Sequence, residues 1–520
     1  MKKRDFTLFL LILLLLSIGY FYLSVVYVDF FNFSLSPVKG YIKTGNVVYF
    51  LFSSMIFFAG LVILLERRDP SKTLAWLLIL VFLPLLGFIL YLIFGRHPRK
   101  QRITRKKQLL NNHLYPLSAS LYQETQNSMS NSIEAQEKSH LIKLIYNNAD
   151  FPPTTNNEIQ VLTDGQEIFP AFIEAIKGAQ KYIYLETYIL RDDQIGTTIA
   201  GLLCAKAQAG VHVRLIYDGL GSRDLRKEFL EKLRAAGVET AAFFPVKLPF
   251  LHRKINYRNH RKILVIDATI GFVGGANIGD EYLGENPAIG YWRDTHVRLE
   301  GNAVYFLQRI FLQDWHFITG KTLAHSSPDL LPSGKAHNNR IVQITASGPD
   351  SQWEAIMQVY YYTIATAEKS IYITSPYFIP NESILTALKT AALSGVDVKL
   401  LLPAKPDHKV VFWAAMSYLQ ELLEAGVEIY FYRKGFIHAK VLTVDGLVSS
   451  IGSANMDQRS FSLNFEVNAF IYDQKTALRL KQEFLEDLQH AKKLNLEEFQ
   501  KRSLGHHFLE SIARLFSPLL

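Results

Sequence analysis

One array of residues occurs twice in this chain, in the same order and with the same internal gaps. His260-x-Lys262-x4-Asp267 is followed after six residues by Gly274-Gly275-x-Asn277, and His438-x-Lys440-x4-Asp445 is followed after the same gap by Gly452-Ser453-x-Asn455. The flanks repeat as well. Ile183-Tyr184-Leu185-Glu186-Thr187 is echoed by Ile371-Tyr372-Ile373-Thr374-Ser375, and Ala236-Gly237-Val238-Glu239 by Ala425-Gly426-Val427-Glu428. A repeat of this length is a whole domain rather than a solenoid unit. Each copy alternates apolar β-branched runs with helical stretches, which predicts two duplicated α/β domains related by a pseudo-two-fold, each with a largely covered sheet. Their expected bounds are residues 156–325 and 340–495.

In an extended strand alternate side chains share a face, so His260 falls beside Lys262 and His438 beside Lys440. The runs 261–266 and 439–444 read as strands, placing these pairs at strand beginnings. Asp267 and Asp445 have the opposite parity and end their strands. Within the two candidate catalytic arrays they therefore suit turn-capping support better than contact with a substrate. Asn277 and Asn455, at matching places after the arrays, are candidate substrate-binding residues.

The paired H-x-K-x4-D arrays resemble those of the phospholipase D superfamily. Finer matches resemble its bacterial cardiolipin synthases: Gly274-Gly275-Ala276-Asn277-Ile278, Tyr291-Trp292-Arg293-Asp294, Gly452-Ser453-Ala454-Asn455-Met456-Asp457, and Arg67-Arg68-Asp69-Pro70 near the start. The resemblance implies a membrane enzyme that joins two phosphatidylglycerols into cardiolipin with release of glycerol. No cofactor and no metal are expected, because the lysine pair can neutralise the phosphate charge without one. The resemblance also implies His260 as nucleophile and His438 as general acid/base, although the residues themselves leave the reverse assignment open. Lys262, Lys440, Asn277 and Asn455 would bind the non-bridging oxygens. Glu466 fits the family's acidic partner for His438, and Asp294 is its counterpart after the first array. Hydrolysis of a phospholipid by the same arrays is the alternative chemistry.

Composition decides where such an enzyme works. Of 520 residues 49% are hydrophobic and the formal net charge is +9, which suits an anionic partner. Residues 6–28, 47–65 and 73–94 are apolar runs of about the 17–25 residues that a spanning helix needs, so residues 1–95 read as an N-terminal transmembrane region. Lys2, Lys3 and Arg4 put the start inside, as Arg67, Arg68 and Lys72 do for the second loop. A third full crossing would carry Arg96, Arg99, Lys100, Arg102, Arg105, Lys106 and Lys107 outside. Pro84 and Gly87 interrupt that run, so we expect it to be re-entrant or interfacial.

The basic linker, residues 96–155, sits beside the membrane, where each cation adds about 1 kcal/mol of attraction to anionic lipid. The expected setting is the bacterial plasma membrane, multi-pass, with cytoplasmic catalytic domains. The expected partners are phosphatidylglycerol and other anionic phospholipids rather than nucleic acid; oligomeric state is not legible. The single cysteine, Cys204, excludes an intrachain disulfide and reads as a buried small residue. Residues 496–520 form an amphipathic segment with Phe508, Leu509, Ile512, Leu515, Phe516 and Leu519 on one face. Docking on protein and docking on lipid both fit that stripe.

Overall fold

The structure, a computed structural model, describes residues 57–65, 70–91, 125, 132–245, 256–285, 290–321, 338 and 340–520. It divides into two compact units, Met1–His97 and Pro98–Leu520. In the larger unit the first copy of the repeat supplies β1 (Thr154–Asp164), β2 (Tyr182–Thr187), β3 (His212–Asp218), β4 (Glu239–Phe243), β5 (Ile263–Ile266), β6 (Ile270–Gly274) and β7 (Tyr291–Gly301). The second supplies β8 (Arg340–Ser347), β9 (Ser370–Thr374), β10 (Phe378–Ile379), β11 (Asp397–Pro403), β12 (Glu428–Tyr432), β13 (Gly435–Ile437), β14 (Val441–Val444), β15 (Val448–Gly452), β16 (Met456–Asp457), β17 (Glu466–Tyr472) and β18 (Ala491–Lys493).

Sixteen of these strands form one sheet. Its order is β18-β12-β11-β9-β14-β15-β17-β8-β1-β7-β6-β5-β2-β3-β4, with β13 attached to β7. Apart from the edge strand β18, that order is a palindrome about the antiparallel β1–β8 pair, the signature of two related halves facing each other across a two-fold. Helices cover both faces, which is why the strands read as continuous apolar runs rather than alternating ones. In β2, Ile183 and Leu185 join one core with Phe169 and Ile199. Tyr182 and Tyr184 join the other with Phe306 and Phe311. Cys204 is buried in the first of these cores, as expected.

The repeat's aspartates anchor its tightest turns. Asp267 and Asp445 adopt positive φ values of 52° and 57°, a left-handed backbone that Asp tolerates through local hydrogen bonding. The Asp267 carboxylate accepts from the backbone N–H groups of Gln180, Lys181 and Tyr182 at 2.7, 2.8 and 2.7 Å. Asp445 does the same for Glu368, Lys369 and Ser370, and also takes an ion pair from Lys138 at 2.9 Å. Each therefore ties the end of its array strand to the start of β2 or β9. Neither reaches the end of the strand where the His and Lys sit, so within the arrays their contacts are those of turn-capping supports.

In the smaller unit, residues 6–28 lie outside the described residues, and 47–65 is described only from residue 57. The third apolar run is divided into helices Pro70–Phe82 and Pro84–Leu90. Pro84 opens the second of these, a position that needs no backbone N–H. The chain doubles back there. The Trp76 and Tyr91 rings meet edge-to-face at 5.5 Å, although fifteen helical residues would span about 22 Å. Gly87 permits the approach, since a Cβ there would lie 2.7 Å from the Ile79 carbonyl oxygen. Among the described residues no helix is long and apolar enough to cross a membrane.

Candidate active site

The array strands start later than their sequence suggests, at Ile263 and Val441. The residues just before them leave their own half and hydrogen-bond with the other. His260 N donates to the Phe465 carbonyl at 2.9 Å, and Phe465 N donates to Arg258 O at 2.9 Å. In the second half β13 runs parallel to the start of β7, and His438 N donates to the Arg293 carbonyl at 2.7 Å. Each histidine is thereby carried across the two-fold.

The crossing decides the partners. His260 Nδ1 lies 3.0 Å from the Ser453 carbonyl oxygen and 3.1 Å from Glu466. His438 Nδ1 lies 2.7 Å from Asp294. The expected pairing of each histidine with the carboxylate of its own repeat is therefore reversed. The reason is geometric: Glu466 follows Phe465 and Asp294 follows Arg293, the residues that receive the crossing segments. A carbonyl and a carboxylate can only accept, so both Nδ1 atoms carry the proton and both Nε2 atoms keep a lone pair. Both histidines are buried yet line one cleft of about 1160 Å³, shared with Asn277 and Asn455.

The two carboxylates are held differently. Glu466 accepts from the hydroxyls of Ser453 at 2.5 Å and Ser460 at 2.8 Å as well as from His260. Asp294 accepts the Thr295 N–H at 2.8 Å, and its Oδ1 fills the space a Cβ at Gly275 would occupy, 2.1 Å away. The repeat's one non-identity in this stretch, Gly275 against Ser453, thus follows from Asp being shorter than Glu. The asparagines also differ. Asn277 is engaged at both ends, accepting from Ile189 N at 3.1 Å and donating to the Tyr282 hydroxyl at 2.5 Å. The Asn455 Oδ1 is buried without a hydrogen-bond partner. Of the two, Asn455 keeps hydrogen-bonding capacity for a ligand.

Lys262 donates to the His260 carbonyl at 2.7 Å and Lys440 to the His438 carbonyl at 2.5 Å. Burial lowers them to about 7 and about 8, with the charge of Lys440 adding to the effect at Lys262. Burial also lowers both imidazoles, His438 to about 3 with Lys440 adding to the effect. Burial pushes the two carboxyls upward, but their histidine partners and the lysines outweigh it and hold both below the usual carboxylate range. At neutral pH these directions give neutral imidazoles beside ionised carboxylates, with two cations poised to lose their protons. An anion entering the cleft would favour the charged lysines and imidazolium.

Further buried residues complete the surroundings. Under the first array Arg261 pairs with Asp314 and donates to the Glu466 and Ser347 carbonyls, while Asn259 donates to the buried Glu186. The second array has Ala439 and Thr374 at the places of Arg261 and Glu186, so this buried network is confined to one half. Loss of repeat identity at those two places was the available signal. Tyr188 lines the cleft, with its ring 5.1 Å from His260 and 5.5 Å from Lys262 Nζ. Trp292 stands 5.3 Å from His438. Among the described residues no group of three or more His, Cys, Asp or Glu is placed to hold a metal ion. Residues 247–255 and the basic cluster 96–107 lie outside the described residues.

Duplicated α/β halves with both histidines meeting in one cleft define a member of the phospholipase D superfamily. A family model described as "Cardiolipin synthase, PLD-like domain" matches residues 172–315 and 360–488, and one described as "Phospholipase_D-nuclease N-terminal" matches residues 55–96. A cardiolipin synthase of Geobacillus sp. (strain WCH70) is 48% identical over 90% of this chain and 93% of its own length. Those of Halalkalibacterium halodurans and Staphylococcus aureus (strain Mu50) are each 47% identical over 90% and 89% of this chain and 93% and 94% of their own lengths. A crystal structure of Haemophilus influenzae phosphatidylserine synthase superposes with a TM-score of 0.55 at 19% identity, covering 74% of this chain and all of that one, which supports the fold alone. The chain belongs to the cardiolipin synthase family of phospholipase D-like enzymes.

Proposed function

We propose that the chain transfers a phosphatidyl group from one phosphatidylglycerol to another, giving cardiolipin and glycerol through a phosphatidyl-histidine intermediate. The observation that carries the mechanism is the crossed pairing, which leaves two Nε2 lone pairs facing one cleft. His260 Nε2 attacks phosphorus, the phosphorus–oxygen bond to the headgroup glycerol breaks, and the protonated His438 gives its proton to the departing oxygen. The neutral His438 then takes the proton of a second lipid's glycerol hydroxyl as that oxygen attacks phosphorus and frees His260. Lys262, Lys440 and Asn455 hold the non-bridging oxygens, where charge builds in the transition state. The phosphodiester supplies the negative charge that raises His438 toward its protonated form. The family resemblance assigns His260 the nucleophile, and the two acceptors that fix its ring support that assignment.

The lipid substrate places the cleft at a membrane, consistent with the apolar residues 1–95 as an anchor, residues 96–155 as a basic linker, and two transfer domains at about 156–325 and 340–495. The doubling back at Leu83 and Pro84 supports a re-entrant third run, with linker and catalytic halves on the cytoplasmic side. Mass spectrometry of products from the purified protein with phosphatidylglycerol as sole lipid tests the reaction. Cardiolipin plus glycerol, absent from His260→Ala and His438→Ala, is expected. Phosphatidic acid plus glycerol would replace transfer by hydrolysis.

A further inference from the structure

The last helix presents its apolar stripe outward. Leu504–Leu515 packs against helix Lys409–Glu424, with Ala513 buried in the core and Glu510 buried in an ion pair with Arg502. Arg514 lies 4.2 Å over the Tyr418 ring and donates to the Ser417 carbonyl at 3.0 Å, and the hydroxyls of Ser517 and Tyr418 meet at 2.9 Å. These contacts engage the polar side. Leu504, Phe508, Leu515 and Phe516 are 87%, 65%, 78% and 50% exposed, and Leu509 and Ile512 are exposed with them. So many exposed large side chains on one face mark a surface that something covers.

The stripe runs to the mouth of the cleft. Leu520 lines the cleft, together with Lys405 and His408 just before helix Lys409–Glu424 and Val411 in its first turn. The exposed Lys405 and Lys409 stand there beside the exposed Val410, with Asp407 and His408 between them, and Arg191, Arg223, Arg258 and Arg459 line the cleft behind. Apolar residues rimmed by cations are the pattern of a helix lying in the interface of an anionic bilayer. We propose that the apolar face of Leu504–Leu515 inserts into the anionic bilayer and sets the cleft mouth against the headgroups. This rests on the reading that a bilayer phospholipid is the substrate, because only then must the mouth face the membrane.

The test uses the full chain with Cys204 replaced by alanine, carrying one cysteine-attached fluorophore and reconstituted in phosphatidylglycerol nanodiscs with nitroxide-labelled lipid. Quenching of a label at Leu515→Cys several-fold above one at Leu393→Cys is expected. Leu393 is 74% exposed, just before the start of β11 and away from the cleft. A parallel assay compares the Phe508→Glu, Leu515→Glu double variant with the parent. A loss of tenfold or more on long-chain phosphatidylglycerol in vesicles, with unchanged turnover of monomeric short-chain phosphatidylglycerol, is expected. Equal quenching at the two positions would overturn the proposal and leave a protein partner for the stripe. Equal turnover of variant and parent on vesicles, or equal loss on both substrates, would also overturn it. Absence of cardiolipin from the parent would instead strike the proposed reaction, and the quenching contrast would stand or fall separately.

Discussion

Each imidazole of the site is fixed by a carboxylate that can only accept, and this makes the carboxylates as exacting as the histidines. Asp294→Asn would offer His438 an amide whose donor end opposes the Nδ1 proton, so kcat should fall by about 10²–10⁴ with the fold intact, as steady-state assay and circular dichroism would show. The lysines bear on pH. In the free enzyme their charge is lost as pH rises through about 7 and about 8, so KM for phosphatidylglycerol should climb across that interval while kcat changes less. Stability has the opposite sign. The folded lysines titrate below their unfolded values, so the unfolded chain binds more protons between the folded and unfolded pKa values and this contribution to stability rises with pH there. At neutral pH Lys262→Met with Lys440→Met should leave the melting temperature unchanged or raise it, by an amount corresponding to about 1–4 kcal/mol, while abolishing turnover.

At the scale of elements, the short strands β5 and β14 are held at one end by an aspartate turn and at the other by a segment that crosses to the opposite half. The aspartate end was legible from parity and position alone. The crossing was not, because hydrophobic periodicity reports which face a residue takes and nothing about which distant strand receives it. The carboxylates were therefore found as residues, Asp294 and Glu466, but assigned to the wrong histidines. Gly275 tests the crossed end. Gly275→Ala places a Cβ where the Asp294 carboxylate lies, and should cost about 1–3 kcal/mol in thermal denaturation and most of the activity. Ser453→Gly, which withdraws a hydroxyl from Glu466 and from the Val467 N–H without driving an atom into either, should cost less on both counts. In the smaller unit, Gly87→Val should force the two short helices apart. A Trp76→Cys, Tyr91→Cys pair that crosslinks readily in the otherwise unaltered chain should fail to do so with Gly87→Val.

For the whole molecule the duplication announced the architecture, and the palindromic sheet about β1 and β8 is its direct expression. What the repeat could not announce is that neither half contains a complete His–carboxylate pair. Double-mutant cycles read by thermal denaturation should give coupling of about 0.5–3 kcal/mol for His260 with Glu466 and for His438 with Asp294. The same-half combinations, His260 with Asp294 and His438 with Glu466, should couple more weakly. The exchange of side chains across the two-fold also carries a history. A lone ancestral repeat could have assembled this cleft only by meeting a second copy of itself, each lending its carboxylate to the other's histidine. Joined in one polypeptide, the copies were released from being identical. Gly275 and Ser453, Arg261 and Ala439, Glu186 and Thr374 are where that freedom was taken, giving the two histidines unlike surroundings from which unlike duties can be inherited.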